Sequence, residues 1–101
     1  MAPGRQALSP DELNHILREL PEWALEEGKL VRFWTFPNFI GAMAFVNRVA
    51  EIAEQDQHHP DIDIRYNRVK LALVSHDAGG ITNRDANMAR SLGAAFDTAE
   101  S

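Results

Sequence analysis

The stretch AEQDQHHPDIDIRYN, residues 53–67, contains the junction from which the order of the fold can be worked out. Upstream of it, apolar residues recur every three or four positions, a period that predicts an amphipathic helix. Downstream of Pro60 the period becomes two, because isoleucines alternate with charged residues, and this predicts a half-buried strand. Two adjacent histidines, His58 and His59, therefore lie between a helix and a strand.

The helix before this junction is predicted to cover residues 38–54, with Asn38 as its N-cap. Its apolar face is expected to consist of Phe39, Met43, Val46, Ala50 and Ala53, widened by Ile40, Val49 and Ile52. A face of this width could contact both the core and a second subunit.

Capping boxes mark the beginnings of the two other helices. Ser9 and Glu12 open a short helix in which Pro10 takes the first position. Thr82 and Asp85 open the last helix in the same way. The apolar side of that last helix is expected to be Ala86, Met88, Ala89, Leu92, Ala95 and Phe96.

Turn signals divide the four predicted strands into two hairpins. Glu27-Gly28 lies between two apolar stretches, and Asn67-Arg68 suits a tight connection before the alternating segment 69–76. Both sides of the segment 30–36 carry an aromatic residue, so the pattern leaves its buried face undecided. The order α-β-β-α-β-β-α predicts an α+β fold in which three helices pack on one face of a four-stranded antiparallel sheet.

Length and composition limit the class of protein. A chain of 101 residues favours one domain over residues 1–101, with residues 1–8 as a loose N-terminus. The 10 basic and 15 acidic residues give a net charge of -5 without a basic cluster, which argues against a nucleic-acid partner. The chain has no cysteine, and no stretch approaches the ~20 apolar residues of a membrane span. We therefore expect a cytoplasmic protein with no membrane partner.

The three histidines His58, His59 and His76 are the candidates for chemistry. An antiparallel return over a short hairpin would bring His76 back to the end of the sheet where the adjacent pair lies. Imidazoles gain and lose a proton near neutral pH, so a cluster of them predicts a site for general acid/base catalysis.

Other interpretations of these residues stay open. The adjacent histidines could cap the carbonyl groups at the end of the helix. With Asp61 or Asp63 they could bind zinc, nickel or iron, although no H-E-x-x-H or H-x-H spacing is present. Asp85 could serve only as a capping residue, Glu54 as an exposed residue of the last helical turn, and Trp23 as part of the core or hairpin packing.

One pattern connects the candidate residues along the chain: Glu54-x3-His58-His59-Pro60, followed by Tyr66, His76 and Asp85. This spacing resembles the signature of the pterin-4a-carbinolamine dehydratase family. The segments YNRV, SH before a glycine pair, and ITNRD at the start of the last helix are also similar to that family. The resemblance extends from LSPDEL to about Phe96 and includes the order of helices and strands.

The resemblance implies a hydro-lyase that removes water from a 4a-hydroxytetrahydropterin to give quinonoid dihydropterin, in the recycling of tetrahydrobiopterin. It implies catalysis without a metal or an organic cofactor, and a functional link to an aromatic amino acid hydroxylase. It also implies self-association as a homodimer or a homotetramer. Some family members in animals bind the dimerisation helix of a transcription factor, so a non-catalytic coactivator module is the alternative function.

The resemblance also assigns roles to the histidines. His58 and His76 become general-acid candidates near the 4a-hydroxyl of the pterin. His59 becomes a pterin ligand that helps as a base.

Five other residues receive roles from the same resemblance. Pro60 would shape the turn that presents the histidines, and Asp85 would orient a histidine or the substrate. Trp23 would lie at the rim of the pocket, and Glu54 is a further candidate for binding the substrate. Tyr66 would pack beneath the site.

Overall fold

A computed structural model describes residues 6–97 and has the predicted order of helices and strands. The helices are α1 (Pro10–Glu19), α2 (Phe39–Asp56) and α3 (Asn83–Phe96), and the strands are β1 (Ala24–Glu26), β2 (Lys29–Thr35), β3 (Asp61–Arg65) and β4 (Arg68–Leu73). A short 3₁₀ turn, His76–Ala78, separates β4 from α3. Of the predicted loose N-terminus, residues 1–5 lie outside the described part of the chain.

Within residues 6–97, the four strands form an antiparallel sheet in the order β1-β2-β4-β3. The two hairpins are joined along β2 and β4, where Leu30 lies opposite Leu73 and Trp34 opposite Val69. The second strand of each hairpin is therefore central, and the first strand of each lies at an edge.

The helices cover one face of this sheet, and the two-residue period of the strands decides which side chains meet them. Leu30, Val69 and Leu71 are fully buried in the core that the helices complete. Phe33 has the opposite parity on β2 and is 42% exposed. The face of β2 that the sequence left undecided is thus settled, with Leu30 and Trp34 directed to the core.

The buried face of α2 agrees with the predicted one in part, because Val49, Ile52 and Ala53 belong to both. Its buried residues are Ala42, Phe45, Val49, Ile52 and Ala53. Two overlapping apolar rows on this helix both satisfy helical spacing, so the sequence could not choose between them. The packing of Phe45 determines which row is buried. Its ring centroid lies 4.5–5.0 Å from those of Trp34, Phe36 and Phe96.

That choice leaves the first residues of the predicted face on the surface. Phe39 is 48% exposed and Ile40 is 78% exposed. These two residues of the predicted face therefore lie outside the core, and their contact with a second subunit stays a prediction.

The second hairpin turns one residue earlier than predicted, at Tyr66 and Asn67. Arg68 already pairs with Arg65 in the ladder, so only these two residues remain for the loop. Tyr66 has a left-handed backbone with φ 54 and is 65% exposed. The prediction that Tyr66 packs beneath the site was wrong, because the turn directs its ring into solvent.

Two hydrogen bonds between Arg90 and Glu19 connect α3 to α1. Arg90 Nε and Nη2 donate to the two carboxylate oxygens of Glu19, each at 2.7 Å. These hydrogen bonds, partly opposed by burial, hold the pKa of Glu19 below its ordinary value of 4.5. The same contact raises the pKa of Arg90.

A lowered pKa in the folded state means that the Glu19 contact stabilises the protein above the ordinary pKa, and that the contribution is lost as the pH falls through the folded value. We expect Glu19→Gln to lower the free energy of unfolding at pH 7, and we expect this effect to diminish as the pH falls below 4.5 and through the lowered pKa of Glu19. Urea titrations of both proteins over this pH range would test this. A difference that stays constant with pH would contradict it.

A second prediction about the free energy of unfolding concerns a side chain at the centre of the core. Leu71→Ala removes a fully buried side chain on a central strand, so we expect it to lower the free energy of unfolding by about 2–5 kcal/mol. Leu25→Ala is the matched control, because Leu25 is 46% exposed on an edge strand. Equal losses for the two variants, measured by chemical denaturation, would show that the core is placed elsewhere.

Candidate functional site

The end of α2 determines where the adjacent histidines point. Gln57 takes a left-handed conformation with φ 52, and its N–H donates to the carbonyls of Ala53 and Glu54. The N–H of His58 also donates to the carbonyl of Ala53, at 3.1 Å. This C-cap satisfies the last helical carbonyls and reverses the chain, so that His58 and His59 reach different partners.

The first histidine meets the beginning of α3. His58 Nε2 lies 2.5 Å from Asp85 Oδ1, with Asp85 fully buried and the His58 side chain 13% exposed. A buried carboxylate needs donors for both oxygens. The second oxygen, Oδ2, accepts from Ser75 Oγ at 2.8 Å and from the Thr82 N–H at 2.9 Å.

Asp85 therefore makes the contacts that both of its suggested roles require. It completes the predicted capping box with Thr82 at the start of α3. Its other oxygen contacts the ring of His58.

Ser75 was not predicted as part of the site. It is buried between β4 and the 3₁₀ turn, where it forms a bridge with Gly80. Its hydroxyl contacts both Asp85 and Thr82 Oγ1. The sequence did contain a signal for this role. Ser75 continues the alternating row of buried residues Leu71 and Leu73, and it places a hydroxyl group in a row that is otherwise apolar.

The second histidine has a different environment. His59 Nε2 lies 2.5 Å from Glu54 Oε2, with side chains that are 62% and 78% exposed. Glu54 is an exposed residue of the last helical turn, as predicted, and it also pairs with this histidine. Because the pair is open to water, its mutual attraction is largely screened.

The third histidine belongs to the 3₁₀ turn rather than to the end of β4. His76 follows Ser75 directly and is exposed. Asp61 lies opposite Ala72 in the ladder, and continuing that register places Ser75 opposite His58. The three histidines therefore lie at the same end of the sheet. Within residues 6–97 no hydrogen bond joins one histidine ring to another, and their joint action on one ligand stays a prediction.

The remaining candidates occupy different positions. Pro60 is buried immediately before β3. Trp23 is only 4% exposed, and its ring meets that of Trp34 edge to face at 5.8 Å. Trp23 thus packs in the core, as the alternative interpretation proposed, and has little surface with which to form a pocket rim.

His58 also lines a surface hollow of about 320 Å³. The other residues that line it are Asp56, Arg84, Asn87, Met88 and Ser91. His59 and His76 do not line this hollow, so it contacts one of the three candidate histidines, His58.

Two further features of residues 6–97 bear on other classes of protein. No group of three or more His, Asp or Glu side chains is arranged to hold a metal ion in this part of the chain. None of its helices has the length and apolar content needed to cross a bilayer.

Residues 6–95 match the profile of the family described as pterin 4 alpha carbinolamine dehydratase. The chain belongs to this family. A relative from Acidobacterium capsulatum, provisionally named a pterin-4-alpha-carbinolamine dehydratase, is 55% identical over 85 residues, which cover 84% of this chain and 92% of the relative. A relative from Thermomicrobium roseum with the same provisional name is 60% identical over 77 residues, covering 76% and 83%.

A solved structure extends the similarity of this dehydratase-family chain to its fold. The crystal structure of a transcriptional coactivator/pterin dehydratase from Brucella melitensis has a TM-score of 0.81 and 35% sequence identity. The match covers 88% of this chain and 97% of the other. The helices and the antiparallel sheet are thus those of the pterin dehydratase fold.

The two carboxylate–histidine pairs should differ in their effect on stability. Asp85→Ala leaves two buried donors, from Ser75 and Thr82, and the partly buried ring of His58 without their acceptor, so we expect a loss of about 3 kcal/mol or more in the free energy of unfolding. Glu54→Ala breaks an exposed pair, for which we expect about 1 kcal/mol or less. Thermal or urea denaturation of both variants measures the difference. Comparable losses would mean that the Asp85 carboxylate is not sequestered from water.

Proposed function

We propose that this protein removes water from a 4a-hydroxytetrahydropterin by histidine acid/base catalysis, giving quinonoid dihydropterin in tetrahydrobiopterin recycling. The observation that carries the proposal is the 2.5 Å contact between His58 and the buried carboxylate of Asp85, in a chain that belongs to the dehydratase family. It supplies an ionisable ring held in one orientation at the surface of the protein.

The reaction needs two proton transfers. One proton goes to the 4a-oxygen, so that the bond from C4a to oxygen breaks and water leaves. The proton on N5 is removed, and its electron pair forms the double bond between N5 and C4a. One proton is delivered and one is taken up, so groups that exchange protons near neutral pH are regenerated after each cycle.

The three histidines divide these tasks. His58 and His76 are the acid candidates, and His59 is the pterin ligand that helps as a base. Asp85 supports the assignment of His58 because a fixed carboxylate balances the charge of a protonated imidazole and fixes its orientation. His76 and His59 are exposed and can exchange protons directly with solvent.

Substrate binding is proposed for the residues around this end of the sheet. A hollow of about 320 Å³ beside His58 lies within the size range of small-molecule sites, roughly 300–1,000 Å³. The pterin would extend beyond this hollow to reach His59 and His76, which do not line it. Pro60 supports the chain that presents the histidines. Glu54 contributes through its contact with His59. Trp23, which is buried, would act through the packing of the first hairpin.

Self-association is the second part of the proposal, as a homodimer or a homotetramer. Its support is the exposed apolar surface at the beginning of α2, where Phe39 and Ile40 lie, and the exposed edge strand β3, where Ile62 is 39% exposed. Surface of this kind is typical of sites that contact another chain. The absence of cysteine agrees with a cytoplasmic location, and a link to an aromatic amino acid hydroxylase would supply the substrate.

A non-catalytic coactivator module is the other candidate. The observation that favours it is the Brucella melitensis neighbour, whose name includes transcriptional coactivator as well as pterin dehydratase. In that case the exposed start of α2 would meet a partner helix rather than a second copy. Occupation of that face by self-association would argue against it.

The catalytic proposal predicts the effect of removing two histidines. We expect the wild type to accelerate the dehydration of 4a-hydroxytetrahydropterin, and His58→Ala/His76→Ala to lose about 10²–10⁴-fold of that rate, the usual contribution of acid/base groups. Absorbance spectroscopy follows the reaction against the background rate in buffer.

His15→Ala is the matched control, because His15 is exposed on α1 and should leave the rate unchanged. A folded wild type that does not exceed the background rate would refute the dehydratase proposal. Full activity in the double variant would refute the assignment of the histidines.

A further inference from the structure

The polar groups behind His58 form a chain of hydrogen bonds whose direction can be worked out. The Thr82 N–H can only donate, and it donates to Asp85 Oδ2. The hydroxyl of Ser75 has one proton, which it donates to the same oxygen at 2.8 Å. In the 2.8 Å contact between the two hydroxyls, Thr82 Oγ1 must therefore donate to Ser75 Oγ.

The far end of the chain agrees with this direction. Thr82 Oγ1 accepts from the N–H of Arg84 at 3.1 Å, so its own proton is free to go to Ser75. In the opposite direction, Asp85 Oδ2 would need a proton of its own where the Thr82 N–H already points. The hydroxyl proton of Thr82 would also lose its acceptor in a fully buried position. The network therefore donates toward Asp85.

This direction fixes the state of the carboxylate and of the ring it meets. Asp85 Oδ2 already accepts two hydrogen bonds, so this oxygen has no proton of its own to donate. Imidazole is also a much stronger base than a carboxylate, so the proton between Asp85 Oδ1 and His58 Nε2 stays on the ring. Nε2 is thus a permanent donor, and Nδ1 is the ring nitrogen that remains to exchange a proton.

We infer that Ser75 and Thr82, acting through Asp85, hold His58 as the Nε2–H tautomer, so that Nδ1 is the atom that gives or takes the proton in the reaction. The second half of this inference rests on the proposed dehydratase function. The first half concerns only the resting protein. Ser75 and Thr82 act through Asp85 and are positioning residues, whereas His58 is the group that would meet the substrate.

The ring nitrogen shifts of ¹⁵N-labelled histidine test the tautomer directly. The His58 signals are assigned by their loss in His58→Gln. In the neutral wild type we expect the proton on Nε2, with Nδ1 unprotonated. A wild-type His58 that carries its proton on Nδ1 overturns the inference, whatever the activity of the protein.

Asp85→Asn gives the sharpest contrast. The Asn oxygen must face the two donors from Ser75 and Thr82, so its NH₂ group must face His58. Nε2 then becomes an acceptor, and we expect the proton to move to Nδ1. Unchanged protonation of His58 in this variant would overturn the inference. Glu54→Gln is the matched control, since this exposed amide contacts His59 and should leave the His58 signals unchanged.

Ser75→Ala tests the Ser75 hydroxyl without the loss of the carboxylate, and Thr82→Ser is its conservative control. Ser75→Ala removes one donor to Asp85, so we expect the His58 Nε2–H proton to exchange with solvent about tenfold faster. We also expect kcat to fall about tenfold, with KM changed less than twofold. Thr82→Ser keeps the hydroxyl and should match the wild type in both measurements. Wild-type exchange in Ser75→Ala would remove Ser75 from the network.

The spectroscopic and kinetic results separate the two proposals. If the wild type has the expected tautomer but does not accelerate dehydration, the hydrogen-bond network is supported and the dehydratase function is rejected. An active wild type whose His58 carries its proton on Nδ1 would retain the function and reject the network.

Discussion

The carboxylate of Asp85 has no contact with solvent, so the protein itself must supply a donor for each of its oxygens. These donors come from three places: His58 after α2, Ser75 after β4, and the N–H of Thr82 at the start of α3. One buried group thus joins the ends of three elements at one end of the sheet. The orientation of His58 follows from the same contacts that stabilise the fold there.

The adjacent histidines show how neighbours in sequence acquire different properties. The left-handed residue Gln57 turns the chain so that His58 meets a buried carboxylate and His59 an exposed one. A hydrogen bond that is shielded from water holds its geometry, whereas an exposed pair competes with solvent. His58 is therefore oriented by the interior of the protein, and His59 and His76 remain accessible from outside.

Family membership and geometry support the function in different ways. Membership in the dehydratase family indicates the class of reaction, because the match covers residues 6–95. It does not identify which nitrogen of a ring carries a proton. The hydrogen bonds around Asp85 supply that information, and they include Ser75 and Thr82, for which the family signature suggested no role.

The sequence alone was sufficient wherever the physical cause was local. Three kinds of signal depend on residues within a few positions of one another: the capping boxes at Ser9 and Thr82, the turn at Glu27-Gly28, and the change of period after Pro60. These signals gave the correct order of helices and strands. The spacing of the histidines and Asp85 also gave the correct family.

The tertiary structure decided whatever required a choice between equivalent local patterns. Two apolar rows on α2 were equally helical, and only the packing of Phe45 against rings from other elements selected one. The turn at Tyr66 depended on the register of β3 against β4. The role of Ser75 depended on a carboxylate ten positions away, brought close by the bridge between Ser75 and Gly80 and by the start of α3. Sequence specifies a periodic pattern or a cap through neighbouring residues, but a buried polar contact exists only after distant segments have packed together.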